Sequence, residues 1–200
     1  MITAIVLAAG ASSRYGAENK LLQPFGGGSV LRTVVQCMRD GGVAHVIVVT
    51  GHQAEEIRAA LAGADVTFAH NALYQTGEQV SSVKAGLAAA AALGAEAALI
   101  MLGDMPLLPA TIVRRITRAY ALGCGGIIAP RYGEIRGHPV LIARRLWPQA
   151  HALPAGAPMR RLLEAHPGDV ALLQVNTDSV LRDVDTPELY QEARRLSAHA

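Results

Sequence analysis

The sequence predicts an α/β fold built on a largely parallel sheet, and three observations carry that reading. Short, continuous apolar runs occur at Ile2 to Ala8, Val46 to Val49 and Ala97 to Leu102. Helix-forming segments of roughly ten residues separate them, which is the alternation of βαβ units. The runs lead into Gly10, Thr50-Gly51 and Gly103-Asp104, and in open α/β sheets the carboxyl edge of the strands is where ligands bind.

The elements follow in order. Ile2 to Ala8 is apolar apart from Thr3, as suits a strand buried on both faces. Ser29 is placed to cap a helix from Val30 to Asp40, closed by Gly41-Gly42. After the Val46–Val49 strand, a helix from Ala54 to Leu61 and a strand near Val66 to Ala69 are expected. The alanine-rich stretch from Ser82 to Leu93 reads as a helix that stops at Gly94. Pro109 suits the first turn of a helix reaching Leu122. Beyond Gly123 the pattern changes. Ile127-Ile128-Ala129 and Pro139 to Ile142 flank Arg131-Tyr132-Gly133-Glu134 in a hairpin-like excursion. Short helices are expected over Leu146 to Leu153 and Met159 to Ala165, and strands over Val170 to Val175 and Val180 to Val184. Thr186-Pro187-Glu188 starts a last helix. With no repeat, linker or low-complexity stretch, residues 1–200 are expected to form one domain.

Composition narrows the class. An apolar fraction of 51% with 17% charged residues describes a globular chain. The net charge is only +2, the basic residues are scattered and aromatics make up 4%, so a nucleic-acid partner is not expected. Arg114, Arg115 and Arg118, like Arg144 and Arg145, read as solvated faces. The first apolar run is too short to span a membrane and lacks the layout of a signal peptide. Cys37 and Cys124 have no metal-type spacing and read as buried or partly buried free thiols of a cytoplasmic protein.

Four constellations carry chemistry. The first is the loop Ala9-Gly10-Ala11-Ser12-Ser13-Arg14-Tyr15-Gly16 with Lys20 beyond it. Small side chains let backbone N–H groups approach phosphate oxygens, and Arg14 and Lys20 add positive charge. No Gly-Lys-Ser/Thr closes this loop and it is not GxGxxG, so neither standard nucleotide fingerprint applies. Turn glycines and solvated charges would give the same letters. The second is Gly103-Asp104-Met105-Pro106, whose carboxylate could hold Mg2+ or merely cap a turn. The third is Asp183-Val184-Asp185-Thr186-Pro187. Its two carboxylates, two residues apart on an extended segment, face one way and could share a metal with Asp104; alternatively Asp185 helps cap the last helix. The fourth is Gly137-His138-Pro139, an exposed loop histidine suited to contacting an acceptor substrate. Gly26-Gly27-Gly28 reads as a plain turn. His52 is a weaker candidate at the same sheet edge, and His45, His70, His151, His166 and His199 show no ligand spacing.

Together these pieces resemble the MobA-like nucleotidyltransferase family, and within it the molybdenum cofactor cytidylyltransferases. The match runs through Leu7-Ala8-Ala9-Gly10-Ala11-Ser12-Ser13-Arg14, Asn19-Lys20-Leu21-Leu22, Val49-Thr50-Gly51, His70-Asn71, Gly77 and Ser81-Ser82-Val83-Lys84-Ala85-Gly86. It continues through Gly103-Asp104-Met105-Pro106, Gly137-His138-Pro139-Val140-Leu141 and Asp183-Val184-Asp185-Thr186-Pro187, in order across nearly the whole chain. The resemblance implies a Rossmann-like, mostly parallel sheet with helices on both faces, as in GT-A-like nucleotidyltransferases. It also implies Mg2+-dependent attack of the terminal phosphate of molybdopterin on the α-phosphate of CTP, releasing pyrophosphate. On this reading Leu7, Ala8, Ala9 and Gly10 lie against the nucleotide, and Arg14 and Lys20 on its phosphates. Ser81 and Ser82 lie near base and ribose. Asp104 holds the metal with Asp185, while Asp183, Gly137, His138 and Pro139 face the acceptor. The Leu-Ala-Ala-Gly form at Ala9 goes with CTP in the family, and Leu-Ala-Gly-Gly with GTP. Family members serve molybdenum hydroxylases, which makes a transient complex with such an apoenzyme an expectation.

Two departures stand out. Tyr15 replaces the family's Met, and Pro154 to Arg161 lacks the Asp of a Gly-Asp-x-Gly segment. A cytidylyl- or uridylyltransferase for a sugar phosphate or phosphorylated alcohol would share the sheet and loop, and so would a non-catalytic chaperone for cofactor maturation. Keeping both Lys20 and Asp104 argues for catalysis.

Overall fold

The computed structural model describes residues 1–11, 15, 18–76 and 78–198. The opening apolar run forms β1 (Ile2–Ala8). After a single 3-10 turn (Lys20–Leu22) come β2 (Pro24–Phe25) and β3 (Gly28–Ser29), a small hairpin about Gly26-Gly27, then α1 (Val30–Asp40). The Ser29 hydroxyl accepts the Arg32 N–H at 3.2 Å, which satisfies one of the orphan donors of the first turn and sets where α1 begins. Next are β4 (His45–Thr50), α2 (Ala54–Ala60), β5 (Thr67–His70), α3 (Glu78–Ala92), β6 (Ala97–Leu102) and α4 (Ala110–Ala121). The C-terminal part holds β7 (Ile127–Tyr132), β8 (Ile135–Arg136), β9 (Val140–Ala143), α5 (Trp147–Ala152), α6 (Arg160–Ala165), β10 (Val170–Gln174) and α7 (Pro187–Ser197).

The main sheet has the order β10-β7-β9-β6-β1-β4-β5, with β8 hairpinned onto β7. β1 pairs in parallel with β4 on one side and β6 on the other, and β9 runs antiparallel to both β6 and β7. The fold is α/β, Rossmann-like and mostly parallel. Register explains the largely apolar β1. Ala4, Val6 and Ala8 pack with α1, α4 and α7, while Ile5 and Ala9 pack with α3, α5 and α6. Fully burying Ile5 or Val6 is worth roughly 1.5–3 kcal/mol, and the strand's one polar residue, Thr3, is buried with them. Among the described residues no helix is long and apolar enough to cross a membrane.

Two expectations are corrected. Val180 to Val184 is not a strand. Residues Asp178–Val180 form a 3-10 turn, and Leu181 N–H returns to Asp178 O at 2.8 Å. Val180 and Val184 are buried as plugs in the α1/α4/α7 core, a role that imitates strand composition without a ladder. Cys124 is exposed, one residue past the turn that ends α4, whereas Cys37 is partly buried. The last helix does start at Thr186, whose Oγ1 accepts the Leu189 N–H at 3.3 Å.

Candidate active site

The carboxyl ends of β1 and β6 border a cleft of about 500 Å³. Leu7 to Ala11 line it at the end of β1, with Lys20 and Leu21, Leu102 and Asp104 at the end of β6, and Asp183 and Asp185. Tyr74, ahead of α3, and Gln79 and Ser82 at its start complete the lining. Among the described residues a Cβ built on Gly10 meets no atom within 4 Å, and Gly10 itself lines the cleft.

The charged centre is Lys20. Its ammonium donates to Asp104 Oδ2 and to Asp185 Oδ1, three groups brought together from three distant parts of the chain. Their side chains are only 13%, 15% and 16% exposed, so solvent screens them weakly. Burial alone would lower the lysine pKa, but the charges and hydrogen bonds of Asp104 and Asp185 outweigh it and hold the group above its ordinary value. Lys20 remains an ammonium at neutral pH. Two of its three N–H donors go to the carboxylates, which leaves one for an incoming oxygen. Asn19 fixes the backbone beneath it: its Oδ1 accepts the Leu21 N–H at 3.0 Å and its Nδ2 donates to Gln53 Oε1 at 3.1 Å.

On the opposite side Asn71 is buried at the end of β5. Its Nδ2 donates to Ser81 Oγ at 2.8 Å and Ser82 Oγ at 3.0 Å, pinning α3 to the sheet edge. Ser82 faces the cleft, and Ser81 lies buried beside it. Tyr74 stands over His70 and His52 at centroid distances of 6.4 and 6.3 Å. Gly51 is what lets it sit there. A Cβ at 51 would lie 2.5 Å from Tyr74 Cβ and 2.9 Å from Ala9 Cβ.

Gly137, His138 and Pro139 do not line this cleft. Gly137 and His138 border a second cavity of about 230 Å³, which shares Gln79 with the first. His138 is also not the exposed loop residue that the sequence predicts. It is half-buried, its Nδ1 has no hydrogen-bond partner, and Pro139 behind it is buried. Burial lowers its pKa, against the opposing Ile100 carbonyl and Asp104 charge and with the help of Arg136, so the ring is neutral near pH 7. The backbone of this segment ties two elements together, because His138 N–H donates to Val180 O at 2.9 Å. A Cβ on Gly137 would approach that same oxygen to 2.4 Å. Val184 N–H then bonds Asp104 O at 2.9 Å, which carries Asp183 and Asp185 into the cleft.

Arg14 lies outside the described residues, as do Ser12, Ser13, Gly16 and Gly77. Tyr15, the departure from the family pattern, packs edge-on against Tyr190 of α7 at 6.1 Å. The sequence reading missed Gln79, Tyr74, Leu21 and Leu102 as cleft residues. Gln79 was findable: it is three residues before Ser82, hence on the same helix face. Tyr74 had no periodic signal.

Comparison with known proteins agrees with this geometry. The MobA-like NTP transferase domain matches residues 4–170. The chain is 32% identical over 199 residues to the molybdenum cofactor cytidylyltransferase of Escherichia coli, covering 96% of this chain and 95% of that protein. A nucleotidyl transferase from Methanothermobacter superposes with a TM-score of 0.85 at 27% identity, over 100% of this chain and 98% of its own. A Mycobacterium tuberculosis protein solved in complex with manganese superposes at 0.75 with 28% identity, over 97% and 98% of the two chains.

Proposed function

The chain belongs to the MobA-like NTP transferase family and is a nucleotidyltransferase; from that premise we propose that it transfers CMP from CTP to the terminal phosphate of molybdopterin, releasing pyrophosphate. The observation that carries this reading is the ammonium of Lys20 held between Asp104 and Asp185 beside the small-residue wall Leu7 to Gly10. A cationic group, an acidic floor and an open backbone wall in one cleft are what nucleotidyl transfer asks for. In-line attack at phosphorus needs positioning and charge neutralisation more than covalent help.

The residues fit a divalent cation, Mg2+ in our reading. Asp104 Oδ1 is buried with no hydrogen-bond partner among the described residues, and Asp104 and Asp185 offer the hard oxygen donors such an ion takes. When bound, the ion neutralises phosphate charge and polarises the P–O bonds. Lys20, with Arg14, binds the triphosphate oxygens. Leu7, Ala8, Ala9 and Gly10 lie along the nucleotide, with Ser82, backed by Ser81 and Asn71, towards its base and ribose. The acceptor phosphate is already ionised near neutrality, so no general base is required. The neutral His138, with Gly137 and with Pro139 behind it, orients the acceptor from the neighbouring cavity, and Asp183 meets the acceptor within the cleft itself. We place this work in the cytoplasm, in a single domain, with handover of the product to a molybdenum hydroxylase apoenzyme in a transient complex.

Pyrophosphate release assayed over CTP, GTP, ATP and UTP, with and without molybdopterin, tests the reading. Release with CTP that depends on molybdopterin and Mg2+ is expected. Release with CTP only when a sugar phosphate is supplied would overturn the acceptor, and preference for GTP would overturn the base. Binding of CTP without turnover of any acceptor would make the chain a carrier.

A further inference from the structure

The small-residue wall at the end of β1 and the turn that carries Lys20 are separate pieces of chain, yet both line the nucleotide cleft. One short turn touches both. It is Gly51-His52-Gln53, between β4 and α2, to which nucleotidyl transfer assigns no role. Its first contact is with the wall: His52 N–H donates to Ala9 O at 3.2 Å, and Gly51 packs so closely that a Cβ there would lie 2.9 Å from Ala9 Cβ. Its second contact is with the lysine turn. Gln53 Oε1 accepts from Asn19 Nδ2 at 3.1 Å, while Asn19 Oδ1 caps that turn by accepting the Leu21 N–H at 3.0 Å. The Leu21 donor fixes which way the Asn19 amide points, so what Asn19 offers Gln53 is a donor, and only a side chain with an acceptor answers it. The bracing turn is itself anchored from behind, because Asn71 N–H donates to Thr50 O at 2.8 Å and Ile57 N–H to Gln53 O at 3.1 Å. The backbone at Gln53 is the unusual part. Its φ of 49° and ψ of 45° are left-handed, and among the described residues it is the one non-glycine residue with positive φ. Left-handed backbone is disfavoured for such a side chain and persists where surrounding contacts over-determine it. Glycine would sit there without strain, but glycine has no amide to hold Asn19.

We propose that Gly51-His52-Gln53 is a brace that sets the separation between the nucleotide wall and the Lys20 turn, with Gln53 a positioning residue that acts through Asn19. This rests on the reading of the cleft as the seat of a nucleoside triphosphate. The Lys20 ammonium is held independently by Asp104 and Asp185. Loss of the brace therefore leaves the charge in place and loosens the spacing between wall and turn. A nucleotide that binds both then meets the right spacing in only a fraction of the molecules, and its apparent affinity falls by that fraction. Once it is bound, its own contacts restore the spacing. The effect belongs to nucleotide binding and spares the step that follows.

Two substitutions at Gln53 separate its amide from its backbone. Gln53→Gly removes the amide and relaxes the strain; Gln53→Ala removes the amide and keeps the strain. Both are expected to raise the CTP KM by about threefold to tenfold, the scale of one net hydrogen bond, with kcat within about twofold of the wild type. Their thermal midpoints differ: Gln53→Gly stays within about 3 °C of the wild type or above it, and Gln53→Ala falls below Gln53→Gly. A purely structural residue would behave otherwise, since the less strained glycine variant would then bind CTP as the wild type does. Asn19→Ser keeps a capping oxygen but has no amide to meet Gln53. If the two side chains act as one contact, Asn19→Ser/Gln53→Gly binds CTP no more weakly than Asn19→Ser alone. A wild-type CTP KM in Gln53→Gly, or fully additive losses in the double variant, would overturn the inference. A wild type that prefers another nucleoside triphosphate or another acceptor would overturn the substrate assignment alone. Equilibrium binding of that preferred nucleotide with Mg2+ then decides the brace: weakening by about threefold or more in Gln53→Gly supports it, and unchanged binding overturns it.

Discussion

Asp104 and Asp185 bond the same ammonium, yet they reach it by different routes. Asp104 stands two residues past β6, a strand paired in register with β1 from Ile2↔Ala97 to Leu7↔Leu102, so the sheet itself aims it. Asp185 stands on an irregular segment with no ladder. That segment is tied by single backbone bonds at Val180 and Val184, by the burial of those two valines, and by Arg182, which bonds Asp178 and Glu192. One half of the site is thus fixed by many cooperative contacts and the other by a few long-range ones. Single substitutions far from the chemistry should therefore disturb the Asp185 half and spare the Asp104 half.

The largest effects belong to the centre, where both routes end. Lys20→Ala and Asp104→Ala should each lower kcat/KM by roughly a hundredfold or more, the scale set by loss of one preorganised electrostatic group. Pyrophosphate release measures it. Near-normal turnover of purified, folded Asp104→Ala would break the comparison at its stronger end.

Gly137→Ala probes the weaker end. Its new methyl meets Val180 O at 2.4 Å, a backbone atom that moves only with the segment bearing Asp183 and Asp185. A fall in kcat of roughly tenfold is expected, as for a modest misplacement of a reacting centre, with the metal requirement shifted to higher concentration and CTP affinity retained. A Gly137→Ala enzyme with a wild-type metal titration would show that the segment is held by something other than this contact.

How legible this was in the sequence follows the same division. The strand-borne half was readable because continuous apolar runs have few alternatives in a sheet covered on both faces, and because Ser29 and Thr186 mark helix starts chemically. The MobA-like pieces then ordered the site residues along the chain. The irregular half was not. Val180 and Val184 look the same in sequence whether they pair in a ladder or plug a core, and only the partners of their backbone groups decide. His138 was misplaced for a related reason. A His between Gly and Pro signals a turn, but burial here comes from the strands and the 178–180 segment packed around it, which a local pattern does not encode.

Asn71→Ala should have a smaller effect. It removes two hydrogen bonds to Ser81 and Ser82, each worth about 0.5–1.5 kcal/mol net, on the nucleotide side and away from both carboxylates. The expected outcome is a lower thermal midpoint and a CTP KM raised several-fold, with the acceptor KM unchanged. Equal rises in both would mean that α3 carries the two substrates as one unit, as the shared Gln79 permits.

The smallest effect concerns the support behind Asp104. Cys37 of α1 donates its S–H to Leu108 O at 3.0 Å, tying the helix to the loop that leads from Asp104 into α4. Burial, reinforced by Asp40 and partly offset by Arg114, pushes the thiol from 9.0 up to about 12. A folded-state pKa above the unfolded one means the folded chain holds this proton more tightly. The stabilisation is complete below pH 9 and is lost as pH rises towards about 12. At about pH 8, thiol reagents should therefore label the exposed Cys124 quickly and leave Cys37 untouched in the folded protein. Cys37→Ser should narrow the drop in thermal midpoint between about pH 8 and pH 10.5, because a hydroxyl does not ionise there. Rapid labelling of both thiols, or an alkaline profile identical in wild type and Cys37→Ser, would mean that the strand-borne half of the site is less firmly backed than its register implies.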